Sequence, residues 1–252
     1  MKRRLFILTG ASRGLGAGIA AQLLARDVVL LTLSRHPSPP LKDAAQAAGA
    51  ALEQWAIDLA HDVGAAARLE AWLHRHTAAD FSSAALINNA GLLGHVGPVD
   101  NSDAESLAAV IRVGLEAPLL LTSAFLRATR GWAIDKRVLN ISSGAGKRPI
   151  GGWAAYCAAK AGLDHATRVI ALDEARHPQP ARLVSLAPGV IDTDMQGELR
   201  AADAAGFPEQ FHFIEMKAAG QLPSPEAAAA RVLAYLMRAD FGSTPVDDVR
   251  NA

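Results

Sequence analysis

Three side chains suited to acid–base work lie within one short stretch, Ser142 to Lys160, which reads SSGAGKRPIGGWAAYCAAK. Tyr156 and Lys160 are four residues apart in an Ala-rich run (Ala154, Ala155, Ala158, Ala159, Ala161), so in a helix their side chains share one face. An ammonium held near a phenol favours the phenolate. Tyr ionises near ~10 in water; a nearby Lys is expected to lower that value and make Tyr156 an acid–base group usable near neutral pH. Ser143 lies thirteen residues before Tyr156, just after the apolar run Val138, Leu139, Ile141. It therefore belongs at the end of a strand, where ligand sites collect in open α/β sheets. By itself Y-x-x-x-K also suits an ordinary solvated pair on a helix, so the surrounding elements must decide.

Those elements begin with strand, glycine-rich turn and helix. Leu5 to Leu8 is apolar and runs into Thr9-Gly10-Ala11-Ser12-Arg13-Gly14-Leu15-Gly16, after which Ala17 to Ala25 is rich in helix formers. Glycines here let the backbone approach a pyrophosphate while the N–H groups of the helix start meet its charge, which is the context a dinucleotide-binding turn requires. A second apolar run, Val28 to Leu33, ends at Ser34-Arg35-His36. An acidic residue at this point would bind the ribose 2′-hydroxyl of NAD, whereas an Arg accommodates the 2′-phosphate of NADP. Arg35 stands there without an Asp or Glu, so NADP(H) is expected, with Arg13 as a second cation; the other reading of Arg35 is an exposed loop residue. Pro37, Pro39 and Pro40 mark a surface loop.

Further along, the pattern predicts a helix over 41–48, a strand over 52–57 and a helix over 62–77. Asp58 either accepts an adenine amine proton or caps a helix. Ala84 to Ile87 reads as a buried strand entering Asn88-Asn89-Ala90-Gly91, whose small and amide-bearing residues let a cofactor pass close by. A long helical stretch, roughly 103–130, should be kinked or broken around Gly114 and Pro118. The fifth strand, 137–141, carries Ser142 and Ser143; the Tyr–Lys helix continues to about Arg176. A sixth strand, 183–186, leads into Ala187-Pro188-Gly189-Val190-Ile191-Asp192-Thr193, a turn suited to the carboxamide end of the cofactor. Residues 197–223 look irregular, as a flap over substrate or a plain surface excursion. A last helix starts near Pro225 and 246–249 reads as a terminal strand. Strands alternating with helices imply a doubly wound parallel sheet, and with no linker dividing the chain the expectation is one α/β domain over 1–252.

Composition narrows the function. Half of the 252 residues are hydrophobic, the formal net charge is zero and no block of like charge stands out, which argues for a small-molecule partner over nucleic acid or a membrane surface. Neither a signal peptide nor a membrane span is expected, and the protein reads as cytoplasmic. Cys157 is the sole cysteine and sits about 100° around the helix from Tyr156, so it reads as packing. The histidines are scattered, with His74 and His76 off a common helix face, so no metal site is expected. Trp153 and Met195 either line a substrate pocket or simply pack.

Taken together, Thr9-Gly10 with Gly14 and Gly16, Asn88 to Gly91, Ser143, Tyr156 with Lys160, and Pro188-Gly189 resemble the short-chain dehydrogenase/reductase family in order and spacing, over essentially the whole chain. Within it, Gly151-Gly152-Trp153 running into Tyr156-Cys157, and Ala187 through Gln196, are similar to the sepiapterin reductase branch, including bacterial benzil reductases; Asn140 to Lys147 and Trp132 to Arg137 look especially like the latter. The resemblance implies a Rossmann-type fold and an NADPH-dependent reductase of ketones or vicinal diketones. Tyr156 would protonate the carbonyl oxygen, Ser143 would hydrogen-bond it, and Lys160 would lower the Tyr156 pKa and bind the nicotinamide ribose. Cofactor contacts would fall at Gly10, Ser12, Arg13, Gly14, Leu15, Gly16, Ser34, Arg35, Asp58, Leu59, Asn89, Ala90, Gly91, Tyr156, Lys160, Pro188, Gly189, Val190 and Thr193. A homodimer through the central helices is implied as well. One departure is Gly114, which stands where many members carry an Asn that maintains a water-linked proton relay. It leaves open an NADP-binding regulatory or scaffold protein with weakened catalysis; a dehydratase or epimerase fits the glycine spacing less well.

Overall fold

The structure, a computed structural model, describes residues 2–251. Seven strands, β1 (Arg3–Thr9), β2 (Val28–Ser34), β3 (Ala51–Ala56), β4 (Phe81–Asn88), β5 (Asp135–Ile141), β6 (Arg182–Ala187) and β7 (Val246–Asp248), pair in parallel in the order β3-β2-β1-β4-β5-β6-β7. The helices are α1 (Gly14–Leu23), α2 (Pro39–Ala48), α3 (Ala65–Leu73), α4 (Ala104–Ile111), α5 (Ala117–Ala128), α6 (Ala154–Glu174), α7 (Asp194–Arg200), α8 (Gln210–Ala218) and α9 (Pro225–Leu236). This is a doubly wound, Rossmann-type sheet. Central strands are continuous apolar runs because both of their faces are covered. Alternate residues of β1 show it: Phe6 and Leu8 pack toward α1 and α9, Leu5 and Ile7 toward α3 and α5. The chain winds outward from β1 to β3, then returns to β4 and winds the other way. At that switch point the loops leaving β1 and β4 diverge and open a crevice at the carboxyl ends of the strands.

Several elements differ from the sequence expectation. The first helix starts at Gly14, inside the glycine-rich turn, because Gly16 can lie where a Cβ would be 2.0 Å from the Gly10 carbonyl oxygen. Pro39 and Pro40 do not extend a loop; they open α2 behind the Ser38 cap, where proline's missing N–H costs nothing. α3 is shorter than 62–77: the Asp62 carboxylate accepts from Gly64 N in a turn before it, and Arg75 and His76 bond back three residues beyond it.

The kink expected in the long helix is a π-helical segment, Arg112–Glu116, that joins α4 to α5; Gly114 lies within it, and Pro118 is accommodated in the first turn of α5. This continuous run, Ala104–Ala128, is long and apolar enough to cross a bilayer, yet half of it is buried inside the protein, with Leu121, Ala124 and Phe125 against the sheet side. Residues 197–223 are helical in part. They contain the end of α7 and all of α8, because Phe207 and Phe213 bury their rings, 0 and 6% exposed, in a third core over the mouth of the crevice.

Candidate active site

The crevice is a cleft of about 660 Å³ that touches the loops after all seven strands. At one end the glycine-rich turn is fastened by its neighbours. Gly10 N donates to Leu33 O at 2.8 Å and Ala11 N to the Ser34 hydroxyl at 2.9 Å. Thr9 Oγ1 accepts from Asn89 N and Ala90 N, while Asn89 Nδ2 donates to the carbonyls of Thr9 and Gly10. Gly10 holds a left-handed φ of 72° where a Cβ would meet Ala90 at 2.9 Å. Ser34 and Asn89, expected as cofactor contacts, thus also clamp the turn. α1 then begins without a side-chain cap, so its first N–H groups have no partner of their own side chains. A glycine-bordered cradle beside uncapped helix donors fits a dinucleotide pyrophosphate.

Each of Gly10, Ser12, Arg13, Gly14, Leu15, Gly16, Ser34, Arg35, Asp58, Leu59, Asn89, Ala90, Gly91, Pro188, Gly189, Val190 and Thr193 lines this one cleft. Arg35 is exposed at its rim, and Arg13 makes an exposed ion pair with Asp194 at 3.1 Å. The Asp58 carboxylate lines the cleft and accepts from Ala60 N at 3.0 Å, a cap-type contact made on a turn well before α3 begins.

Ser143, Tyr156 and Lys160 converge at the middle of the cleft. Ser143 leaves β5 and accepts from Ala145 N at 3.2 Å. One turn of α6 separates Tyr156 from Lys160, whose Nζ donates to Ile141 O at 2.7 Å and lies 5.6 Å from the Tyr156 ring. The expected lowering of the Tyr156 pKa does not come from the protein alone. Burial raises the phenol above its ordinary value, with the Ser143 hydroxyl drawing it part of the way back and Cys157 adding to the rise. Burial also pulls Lys160 down to about 8, against the opposing charge of Asp164. Both shifts have one cause: neither charged form is well solvated there.

The far end of the cleft is apolar. Trp153 and Met195, weighed from sequence as substrate-pocket or packing residues, line the cleft, and Trp153 also stacks on Phe207 with centroids 5.2 Å apart. Among the described residues, the buried Trp153 Nε1, Ser142 Oγ and Gln196 Oε1 have no hydrogen-bond partner. The sequence does not single out Ile150 on this wall, or Asp248 and Arg250 beside it, because they arrive from distant segments with no local motif; Leu199, Phe213 and Met216 on the wall belong to the 197–223 segment read as a flap over substrate or a surface excursion. Sequence reasoning also missed Asp164, whose position one turn beyond Lys160 was a usable signal. Gly114 lies against α6, where a Cβ would be 2.9 Å from that of Ala159; close helix contact accounts for the glycine.

Comparison with known proteins agrees with this geometry. A family model described as short chain dehydrogenase matches residues 4–204. A benzil reductase ((S)-benzoin forming) of Bacillus cereus is 36% identical over 94% of this chain and 96% of its own. The sepiapterin reductase of Meriones unguiculatus is 34% identical, covering 94% and 92%. Among solved structures, a short-chain dehydrogenase/reductase of Burkholderia vietnamiensis is 33% identical and superposes with a TM-score of 0.65 over 99% of this chain and 100% of that one.

Proposed function

The chain belongs to the short-chain dehydrogenase family, an oxidoreductase acting on carbonyl or hydroxyl groups, and from that premise we propose that it is an NADPH-dependent reductase of ketones, vicinal diketones above all. The observation that carries the reading is the convergence of Ser143, Tyr156 and Lys160 between a glycine-bordered anion cradle and an apolar pocket. Bound NADPH supplies the hydride that reaches the carbonyl carbon. Tyr156 gives its proton to the carbonyl oxygen, and its raised pKa means that this proton is in place at neutral pH. Ser143 donates a hydrogen bond to the same oxygen as charge develops on it. Lys160, as an ammonium, orients the ribose and offsets the phenolate left behind. The product is an α-hydroxy ketone when the substrate is a diketone.

NADP(H) over NAD(H) rests on Arg35 at the end of β2 with no carboxylate beside it. The benzil and sepiapterin reductases bring the diketone class, and the apolar wall of Ile150, Trp153, Leu199 and Phe213 suits an aromatic substrate. The proposal covers 1–252 as one cytoplasmic domain, paired as a homodimer; the exposed Leu120, Val169 and Leu172 on α5 and α6 support the pairing. The second reading, a binding protein with weakened chemistry, rests on Gly114 alone, and the tight contact with Ala159 supplies that glycine with a packing reason.

The test is NADPH oxidation with benzil and with sepiapterin, beside an NADH control. Tyr156→Phe is expected to lower kcat by roughly 10²–10⁴-fold, the usual worth of a placed general acid. Tight NADPH binding with no turnover on a wide carbonyl panel would transfer the protein to the second reading.

A further inference from the structure

Lys160 is part of a longer buried row. Tyr156, Lys160 and Asp164 follow at four-residue steps along α6, so their side chains share one face, and they are 8, 4 and 2% exposed. Three other elements close around the row. Ile141 of β5 accepts from Lys160 Nζ. Ser185 of β6 donates its hydroxyl to Asp164 Oδ1 at 2.6 Å. Gly146, in the turn after Ser143, approaches so closely that a Cβ there would lie 2.8 Å from Asp164 Oδ2 and 3.1 Å from the Lys160 backbone. Asp164 does not line the cleft, so it stands behind Lys160, away from substrate and cofactor.

A carboxylate this deep, held by one hydroxyl, stays ionised in an interior only where a cation lies near enough to offset its desolvation. The ammonium on the same face is Lys160; among the described residues it makes no direct ion pair with Asp164, its Nζ bonding Ile141 O instead, so the two act on each other through space. We infer that Asp164 is a positioning residue that keeps Lys160 protonated inside the protein and thereby sets the alkaline limit of the reaction. The inference rests on the reading of Lys160 given above. Burial draws Lys160 down to about 8, and Asp164 is the charge that opposes the fall. The other ionisable groups nearby have different partners. Cys157 acts on Tyr156, while Asp247 and Asp248 on β7 bond Tyr235 and Arg250 and draw on Lys147. Gly91, from the loop after β4, brings no charge.

The sign follows directly. Removing a negative charge makes an ammonium easier to deprotonate, so neutralising Asp164 moves the Lys160 midpoint, and with it the alkaline limb of activity, to lower pH. The experiment is an NMR titration of the Lys160 side chain in lysine-labelled protein, with the resonance assigned by its loss in Lys160→Met. It compares the native chain, Asp164→Asn, which keeps the shape and the acceptor for Ser185, and Asp164→Glu, which keeps the charge. The expected result is a midpoint lower by about one pH unit in the Asn chain and nearer the native value in the Glu chain, with NADPH oxidation at pH 9 about tenfold weaker in the former. A Lys160 midpoint that does not move in Asp164→Asn overturns the inference, whatever happens to activity or unfolding. Should Asn at 164 prevent folding, Asp164→Ser, smaller and still able to bond Ser185, carries the same comparison. Because the midpoint is read without turnover, a chain that reduces no ketone can still bear out Asp164, and an active chain can still refute it.

Discussion

The two ends of the cleft are built by different physics. The glycine-loop end is held by backbone geometry: a left-handed Gly10, a Gly16 with no room for a side chain, and short bonds from Thr9, Ser34 and Asn89. The pocket end is held by aromatic packing: Trp153 on Phe207, and Phe207 on Phe213 with centroids 5.8 Å apart. Its outer clamps are the ion pairs Arg148–Glu209 and Lys217–Asp192, the latter at 2.6 Å. Backbone geometry accepts one shape and therefore one ligand class. Packed rings are bonded less directionally, so the pocket can change its occupant while the cradle stays the same.

Separate substitutions should pull these two ends apart. The largest expected effect is on the pocket: Phe207→Ala, at a fully buried ring, should cost about 3–5 kcal/mol and lower Tm by roughly 6–20 °C. Calorimetry measures that loss, and fluorescence titration should show NADPH affinity unchanged in the folded fraction. A parallel loss of cofactor affinity would mean that the two ends are one unit. Gly16→Ala comes next. Its new Cβ would collide with the Gly10 carbonyl, a backbone atom that cannot rotate away, so it should cost about 1–3 kcal/mol and weaken NADPH binding while sparing the Phe207 stack, as near-ultraviolet circular dichroism would report. The smallest change is Arg35→Ala, which removes a cation at the rim and nothing from the core. NADPH affinity should fall about tenfold, some 1.4 kcal/mol, with NADH affinity unmoved; equal loss for both cofactors would sink the 2′-phosphate assignment.

The same division governs what could be read in advance. The Gly10–Gly16 turn, Asn89, Ser143, Tyr156 and Lys160 were legible because each sits at a strand end or one helical turn from its partner, so spacing along the chain equals proximity in space. Residues 197–223 read as irregular because Phe207 and Phe213 stand apart from any strong periodic run, and much of the surface they cover comes from distant segments, Trp153, more than fifty residues away, among them. Asp58 and Arg13 both line the cleft; the Ala60 N–H that Asp58 accepts is two residues on, as a cap reading implies, whereas Asp194, the partner of Arg13, lies far along the chain where no local pattern announces it. The pKa of Tyr156 was inferred from its neighbour Lys160, whereas burial, a property of the whole packed interior, sets the direction of the shift.

From the sequence alone, then, come the strand–turn–helix order, the doubly wound sheet and the shared face of Tyr156 and Lys160 on α6, since these depend on residue type and on periods of two and 3.6. The tertiary structure decided the rest. It set how deeply Tyr156, Lys160 and Asp164 are buried, which wall stands opposite Ser143, and how far each ionisable group is pushed from its value in water. Those quantities depend on desolvation and on contacts between distant segments, and both exist only once the layers have closed on one another.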